Sequence, residues 1–548
     1  MPEVRVALRL LIGSALSACM LVAVGFAQGP STKPEVAPMP KTSGAKSSPA
    51  VELDQRIITE VQKNSQIMVN LEYLCDRIGP RITGSPNLEK ANKWAAEKMK
   101  SYGLENVKLE PWEIPVAWER GPASMKLLEP STGKNLIFAS MAWTPGTKGK
   151  VTGNVVALDV RTKDDLEKYK GKLQGAIILR GAPATVSPIT DLSYGPGGTP
   201  KLNKEPDPKE PKEPKKKDPP PQPRPSFTEM RALRLMIGEF LRKEGAVALA
   251  VDAAKPHGLL TMTGAWQEGD RGTQNEPMPT MFMAHEHYKM LYRLATAKGE
   301  PAPKVELEIT NKFTPGPVVV YNTVGEIRGS EKPDEFVVIG AHLDSWDIAS
   351  GATDNGTGST VILEVARTLG ALAKQGIRPK RTIRFVLFTG EEQGLHGSKQ
   401  YVKKHQDEMP KTSMALVHDT GTGAVLGFGL QGREAVRKVL EPELESLPAL
   451  KPWRGLSLRN MGGTDHLSFE GTGVPGFACE QEMDEYRLTH HTQTDTFDHV
   501  KGPNLVQGAQ AIAVTAMRVA NLPDLLPRTK PMPKKDPPKK DEPKKEKE

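Results

Sequence analysis

His342 and Asp344 stand two residues apart at the end of the run Phe336-Val337-Val338-Ile339-Gly340-Ala341. Glu391 and Glu392 close a second run, Ile383-Arg384-Phe385-Val386-Leu387-Phe388-Thr389-Gly390. Between them, Gly351-Ala352-Thr353-Asp354-Asn355-Gly356 precedes a stretch with Val361, Ile362, Val365, Ala366, Leu369, Leu372 and Ala373 on one helical face. Imidazole plus carboxylates is a zinc-type ligand set, and a carboxylate can bridge two ions. Asp344 is placed to accept the other ring proton of His342 and fix its tautomer. Two adjacent glutamates cannot point the same way, so one can bind metal while its neighbour faces substrate as a proton carrier. Each residue taken alone is an ordinary loop carboxylate. The whole set at consecutive strand ends makes that explanation the weaker one.

These positions require particular elements around them. A short apolar run ending in Gly or charge is a strand covered on both faces. Strand, helix, strand is the unit of a parallel α/β sheet, whose sites lie outside the carboxyl ends of the strands. The patterns predict further strands at 107–114, 318–324, 414–417 and 475–478. They predict helices from Val51, at 87–101 and at 505–521. The strand at 414–417 ends in His418-Asp419-Thr420-Gly421, and the one at 475–478 is followed by His490-His491-Thr492. The expected fold is a mixed, mostly parallel sheet flanked by helices.

Past Trp118-Glu119-Arg120-Gly121-Pro122 the character changes. Short strands are expected at 125–128, 155–160 and 176–179, a helix at 228–244, an apolar run at 246–251, and Pro277–Thr280 leading into a helix at 285–296. This is a separate small β-rich domain. It is interrupted by a Lys/Glu/Pro tract at 201–225 that cannot bury a core. His285-Glu286-His287 resembles the start of the zincin helix motif, but Lys289 stands where the second histidine is needed. These are expected to be ordinary polar residues.

The 548 residues suffice for more than one domain and carry a formal charge of +8. Residues 201–224 hold eight basic and five acidic side chains, and residues 528–548 hold nine and five. The basicity therefore belongs to low-complexity segments, and no Arg-and-aromatic stripe is present to read bases. Nucleic acid is not expected as a partner. Arg5 and Arg9 precede an apolar run from Leu10 to Val24 and then Gly25-Phe26-Ala27, the pattern of a cleaved secretory signal. A secreted or periplasmic chain with no transmembrane anchor after cleavage is expected. Leu16-Ser17-Ala18-Cys19 offers a second-ranked lipoprotein box. Cys75 and Cys479 are open to pairing or to burial as free thiols.

With these residues in view, the chain resembles the di-zinc exopeptidases of the bacterial leucyl aminopeptidase and glutamate carboxypeptidase type. The likeness runs from about Val51 to Arg528. It rests on Ile78 to Ser85, Trp118-Glu119-Arg120-Gly121, Ala341 to Asp347, Arg378-Pro379-Lys380-Arg381-Thr382, Glu391-Glu392-Gln393-Gly394, Gly463-Thr464-Asp465, Gly473-Val474-Pro475-Gly476 and His490-His491. The resemblance implies a zinc-exopeptidase fold with an inserted protease-associated domain. It divides the chain into a signal peptide (1–27), a disordered tether (28–50), a peptidase domain in two parts (51–121 and 302–525), the inserted domain (122–301) and a disordered Lys/Pro-rich tail (526–548). It implies two zinc ions. His342 and Asp419 would be the terminal ligands of one, Glu392 and His491 those of the other, and Asp354 the bridge. His491 is chosen over His490 because Thr492 and Asp495 follow it in the family's pattern. Glu391 would be the general acid/base and Asp344 the carboxylate behind the ligands. His418 departs from that pattern just before Asp419.

The implied reaction is hydrolysis of dipeptides or short peptides. Zinc lowers the pKa of a water toward ~7, Glu391 shuttles its proton, and His490 or a backbone N–H donates to the oxyanion. The resemblance favours carboxypeptidase or dipeptidase action, with aminopeptidase action close behind. Arg487 could grip a carboxylate; Glu480, Glu482 or Asp484 could grip an amine. Two other classes share the sheet: non-catalytic binding proteins that have lost ligands, and one-zinc acyltransferases of the glutaminyl-cyclase kind. Shading of the site, partner binding and homodimer formation are open roles for the inserted domain.

Overall fold

Strand residues 381–388 are buried at every position, as expected of a strand covered on both faces. In the computed structural model, which describes residues 48–130, 132–160, 162–186, 227–266, 278–483 and 486–528, this strand lies inside an eight-stranded sheet. In chain order the strands are β1 (Glu105–Glu119), β2 (Lys312–Ile327), β3 (Lys332–His342), β4 (Arg381–Phe388), β5 (Thr412–Val417), β6 (Val425–Gly429), β7 (Gly455–Ser457) and β8 (Gly476–Gln481). Across the sheet the order is β1-β2-β4-β3-β5-β8-β6-β7. β3 pairs in parallel with β4 and β5, β5 with β8, and β6 with β7. The pairs β1–β2, β2–β4 and β6–β8 are antiparallel.

Side-chain alternation decides what each face of the sheet packs against. Val337, Ile339 and Ala341 of β3, with Ile383, Phe385 and Leu387 of β4, join the core beneath the helices Pro49–Asn64, Thr357–Lys374 and Gly502–Asn521. Val338, Val386 and Phe388 point the other way, to Tyr401, Phe469 and Val474. Gly340 is required in β3, since a Cβ there would stand 2.7 Å from the Phe388 ring. The helices at 49–64 and 86–102 start as their sequences dictate. Ser48 accepts from the Val51 N–H (3.3 Å) and Ser85 from the Leu88 N–H (3.2 Å), each followed by proline at the first helical position.

The chain leaves β3 toward β4 on one side, then returns past it to β5 on the other. This is a topological switch point, where the crevice of an α/β sheet opens. Register puts His342 beside Phe388 and Gly340 beside Val417. The turn after β4 and the turn after β5 therefore flank the His342 ring.

Between β1 and β2 the chain builds a second, seven-stranded sheet. Its spatial order is Ala123–Glu129, Lys304–Ile309, Val151–Leu158, Ile177–Arg180, Ala248–Asp252, Thr280–Met283 and Phe138–Ser140, with helices Phe227–Lys243 and His285–Ala295. Several strands escaped the sequence reading. Phe138–Ser140 and Gly455–Ser457 are too short to show a period, and Val425–Gly429 has glycine at two of five positions. Lys304–Ile309 alternates cleanly, and its signal was there to be read. Thr280, the last residue of the expected lead-in, opens the fully buried strand Thr280–Met283.

His285-Glu286-His287 has structural partners in this second sheet. His285 Nδ1 lies 2.9 Å from Asp252 Oδ2, His287 Nδ1 accepts from the Ile137 N–H (2.8 Å), and Glu286 accepts from the His257 and Gly258 N–H groups. Cys75 and Cys479 are both buried and unpaired. The signal peptide with its Cys19 alternative, the tether to residue 47, the tract at 201–225, Asp484 and the tail from residue 529 lie outside the described residues. Among the described residues no helix is long and apolar enough to cross a membrane.

Candidate metal centre

His342, at the last position of β3, is 1% exposed. Its Nδ1 lies 3.0 Å from the Asp344 carbonyl oxygen and 3.6 Å from Asp344 Oδ1. Donation from Nδ1 to that carbonyl leaves Nε2 with a lone pair to offer an ion. Nε2 faces Asp419 Oδ1 at 3.0 Å and Asp354 Oδ1 at 3.3 Å. The other Asp354 oxygen, Oδ2, lies 3.5 Å from His491 Nε2, which in turn is 3.0 Å from Glu392 Oε2. Two three-residue groups thus meet at one carboxylate: His342, Asp419 and Asp354, then Glu392, His491 and Asp354. Glu391 offers an oxygen within 4.8 Å of His342 and Asp419.

This donor set fits a divalent ion. Asp354 Oδ2 and Glu392 Oε1 are buried without any hydrogen-bond partner, and such atoms require one. Burial, with Asp419, Asp465 and Glu392 nearby, pushes the Glu391 carboxyl well above the usual carboxylate range. Burial and Asp354 do the same to Glu392. Burial raises Asp465 to about 7. Burial also works against ionised Asp354, but His342, His491 and His490 outweigh it and hold that carboxyl low. A cavity crowded with carboxylates at this range needs positive charge to ionise all of them.

The supports of these candidate ligands are equally specific. Asp344, fully buried, accepts from the N–H groups of Glu391 (3.3 Å) and Glu392 (3.3 Å) and from Thr83 Oγ1 (3.2 Å). It therefore clamps the turn after β4 as well as standing behind His342. Asp495 accepts from the Thr353 N–H (2.6 Å), Thr353 Oγ1 (2.8 Å) and the Asp354 N–H (3.2 Å). Burial, then Asp354, pushes its carboxyl up to about 7.

Arg81 sits fully buried beneath this loop. Its guanidinium donates to the carbonyls of Leu343 (2.8 Å), Ser350 (2.8 Å), Gly351 (2.8 Å) and Gly79 (3.1 Å). It has no carboxylate salt-bridge partner among the described residues, yet Asp495, Asp344 and Asp354 feel its charge. The sequence motif Ile78 to Ser85 contained this residue without revealing its role, because three of its four carbonyl partners, at Leu343, Ser350 and Gly351, lie far away in the chain and leave no local pattern. Arg81→Leu is expected to cost about 3 kcal/mol or more of stability, since it strands those carbonyls and removes the buried cation. Denaturant unfolding of metal-free protein checks this; an unchanged midpoint would remove Arg81 as the loop's anchor.

The second sheet reaches the same centre. Arg120 makes a two-pronged pair with Asp347 (2.7 and 2.8 Å), just past the His342 strand, and also donates to Ser140 Oγ (3.0 Å). Met262 N–H donates to the His491 carbonyl (2.8 Å), Lys255 Nζ to the His490 carbonyl (3.2 Å), and Gln493 bonds both Leu260 and Gly258. The Trp346 ring meets the His491 ring edge-on, with centroids 5.8 Å apart.

A cavity of about 760 Å³ opens over Asp354, Glu391, Glu392, Asp419, His490 and His491. His490 stacks on His491 (centroids 3.8 Å) and lies 3.9 Å from Asp354 Oδ2. Burial pushes its pKa down to about 4, so at neutral pH it carries one ring N–H to donate. Burial likewise lowers His418 to about 4; both its ring nitrogens lack partners, and its carbonyl accepts from Asn355 Nδ2 (2.9 Å). Of the residues considered for gripping a peptide terminus, Glu480 lines the cavity and Arg487 and Glu482 do not. Arg454, Arg459, Met461 and Tyr486 also line it; nothing in their local sequence distinguishes them from surface residues.

Residues 322–516 match the model of Peptidase family M28. Carboxypeptidase Q of Mus musculus is 30% identical over 460 residues, covering 84% of this chain and 86% of the relative. Carboxypeptidase Q of Homo sapiens is 30% identical over 461 residues, with the same coverage of 84% and 86%. The solved Peptidase M28 precursor from Shewanella amazonensis SB2B shares the fold with a TM-score of 0.66 at 24% identity, over 88% of this chain and 99% of that one. A zinc aminopeptidase from Bacillus subtilis shares it with a TM-score of 0.56 at 19% identity, over 82% of this chain and 93% of that one. With a relative this similar along most of its length, the chain belongs to Peptidase family M28 and is a metallopeptidase.

Proposed function

We propose that this chain is a zinc exopeptidase that binds two ions and hydrolyses dipeptides or short peptides. The observation that carries the reading is the single carboxylate of Asp354 facing His342 with one oxygen and His491 with the other. His342 and Asp419 would hold one ion, Glu392 and His491 the second, and Asp354 both. When bound, the ions supply Lewis-acid polarisation of the scissile carbonyl and lower the pKa of a water toward ~7. Glu391 takes the proton of the attacking water and returns it to the leaving amine. Asp344 holds the Glu391 backbone so that the side chain meets the cavity. His490, neutral and with its ring on the cavity wall, donates its N–H to the oxyanion. Hydrolysis unchanged in His490→Phe protein with zinc bound would remove that last role.

Residues 51–121 and 302–525 form the peptidase domain in this reading. Residues 122–301 form an inserted protease-associated domain, and residues 1–27 are the leader that sends the chain out of the cytoplasm. The two sheets support the division, since one draws its strands from 105–119 and 312–481 and the other from 123–309. Convergence of all five ligand positions speaks against a non-catalytic binding protein and against a one-zinc acyltransferase.

The likeness to carboxypeptidase Q favours carboxypeptidase or dipeptidase action. The expected result is hydrolysis of a free dipeptide but not of its C-terminal amide. Tolerance of an N-acyl group would then separate carboxypeptidase from dipeptidase. Cleavage of the amide but not the N-acylated peptide would make it an aminopeptidase.

A further inference from the structure

Two arginines on the cavity wall lack the partners that the buried arginines have. Arg81, Arg367, Arg381, Arg384, Arg433 and Arg518 each donate to carbonyls or carboxylates. Arg454 and Arg459 line the same cavity as Glu391 and the ligand carboxylates, and their guanidinium groups make no hydrogen bond or ion pair with a described residue. Their backbones, by contrast, are fixed. Arg454 N–H donates to the Leu426 carbonyl (2.6 Å), and the Arg459 carbonyl accepts from the Gln431 N–H (3.3 Å). The Arg459 N–H donates to Ser457 Oγ (3.2 Å), and the Gln431 side chain bonds both the N–H and the carbonyl of Met461 (2.6 Å each). The segment is a framed wall that presents two cations to the cavity.

Charge in the cavity favours an anionic guest. Asp354, Glu392 and Asp419 would be neutralised by the ions, and Glu480 already accepts from the Ser457 hydroxyl. Glu480 keeps its charge while it accepts that bond, but among the described residues no carboxylate lining the cavity stands within ion-pair distance of either guanidinium. A guanidinium fork matches a carboxylate in two parallel hydrogen bonds. The volume of about 760 Å³ is that of a site for a small ligand.

We propose that Arg454 and Arg459 form an anion subsite that takes a carboxylate of the peptide substrate. The proposal rests on the peptidase reading above and gives it a direction, with the peptide's acidic group on the arginine side. The carboxylate could be the C-terminal group or an acidic side chain, and the test separates them.

Binding of Ala-Leu, Ala-Leu-amide and Ala-Glu-amide to zinc-loaded Glu391→Gln protein is measured by calorimetry, with and without the added pair Arg454→Gln and Arg459→Gln. Zinc content and melting temperature confirm that the exposed substitutions leave the fold and the metals in place. Removing the arginines is expected to weaken Ala-Leu by about 10-fold to 100-fold and Ala-Leu-amide far less. A loss confined to Ala-Glu-amide would assign the subsite to an acidic side chain. Affinities that are the same with and without the arginines, absent binding included, overturn the proposal, as does an equal loss for Ala-Leu-amide. Hydrolysis of Ala-Leu by the wild-type chain but not by Glu391→Gln tests the peptidase reading separately. Arginine-dependent binding without hydrolysis keeps the subsite and sinks that reading. Hydrolysis with no arginine effect does the reverse.

Discussion

Glu391→Gln protein is expected to keep its zinc and to lose peptide hydrolysis by about 10²-fold to 10⁴-fold, the usual contribution of a positioned proton carrier. The substitution preserves shape and hydrogen-bonding length but leaves no group able to take a proton. The carboxylates around the centre have other partners. Glu392 is turned toward His491 at 3.0 Å, Asp419 toward His342 at 3.0 Å, and Asp344 is occupied by the N–H groups of residues 391 and 392. Burial in a carboxylate-rich cavity raises the Glu391 pKa, and bound cations oppose that rise, so the group operates between the two influences. The measurement is kcat with metal content determined on the same sample. Residual kcat within a few-fold of wild type would move the proton transfer to another group.

Asp354→Ala has a different signature. Bound zinc is expected to fall from the proposed two ions per chain to one or none, and hydrolysis with it. Each Asp354 oxygen faces a different histidine, His342 at 3.3 Å and His491 at 3.5 Å, so one truncation damages both halves of the centre. Asp419→Ala and Glu392→Ala each remove a proposed ligand from one half only, and are expected to retain the other ion more firmly. Plasma emission spectrometry on dialysed protein reads the stoichiometry without any substrate. Two ions retained in Asp354→Ala would end its role as the shared ligand. Circular dichroism guards against a folding defect, because the Asp354 N–H also anchors to Asp495.

The sheet was legible where its strands are apolar and long enough to show their burial. β3 and β4 carry runs of Val, Ile, Leu and Phe that water cannot cover, and each was expected close to where it lies. The short and glycine-containing strands were not legible. Their pairing depends on neighbours supplied from elsewhere in the chain, as Val425–Gly429 depends on Gly476–Gln481 and Gly455–Ser457. Burial on folding creates that signal, and no local residue choice announces it.

Residue types alone named the candidates for the chemistry, His342, Asp354, Glu391, Glu392, Asp419 and His491, and placed His342, Glu391, Glu392 and Asp419 just past the apolar runs of strands. They could do so because metal ligation needs particular donor atoms, and a strand's apolar run marks where its polar end begins. Only the folded chain brings those donors within one ion's reach, since that follows from the placement of β4 and β5 on either side of β3 and from their register. It also decided that Asp344 clamps the Glu391 turn, that Arg81 and Asp495 brace the loop of Asp354, and that Arg454 and Arg459 face the same cavity. Those relations join residues far apart in the chain, and they arise only when folding brings a charge or a hydrogen bond within a few ångströms of its partner.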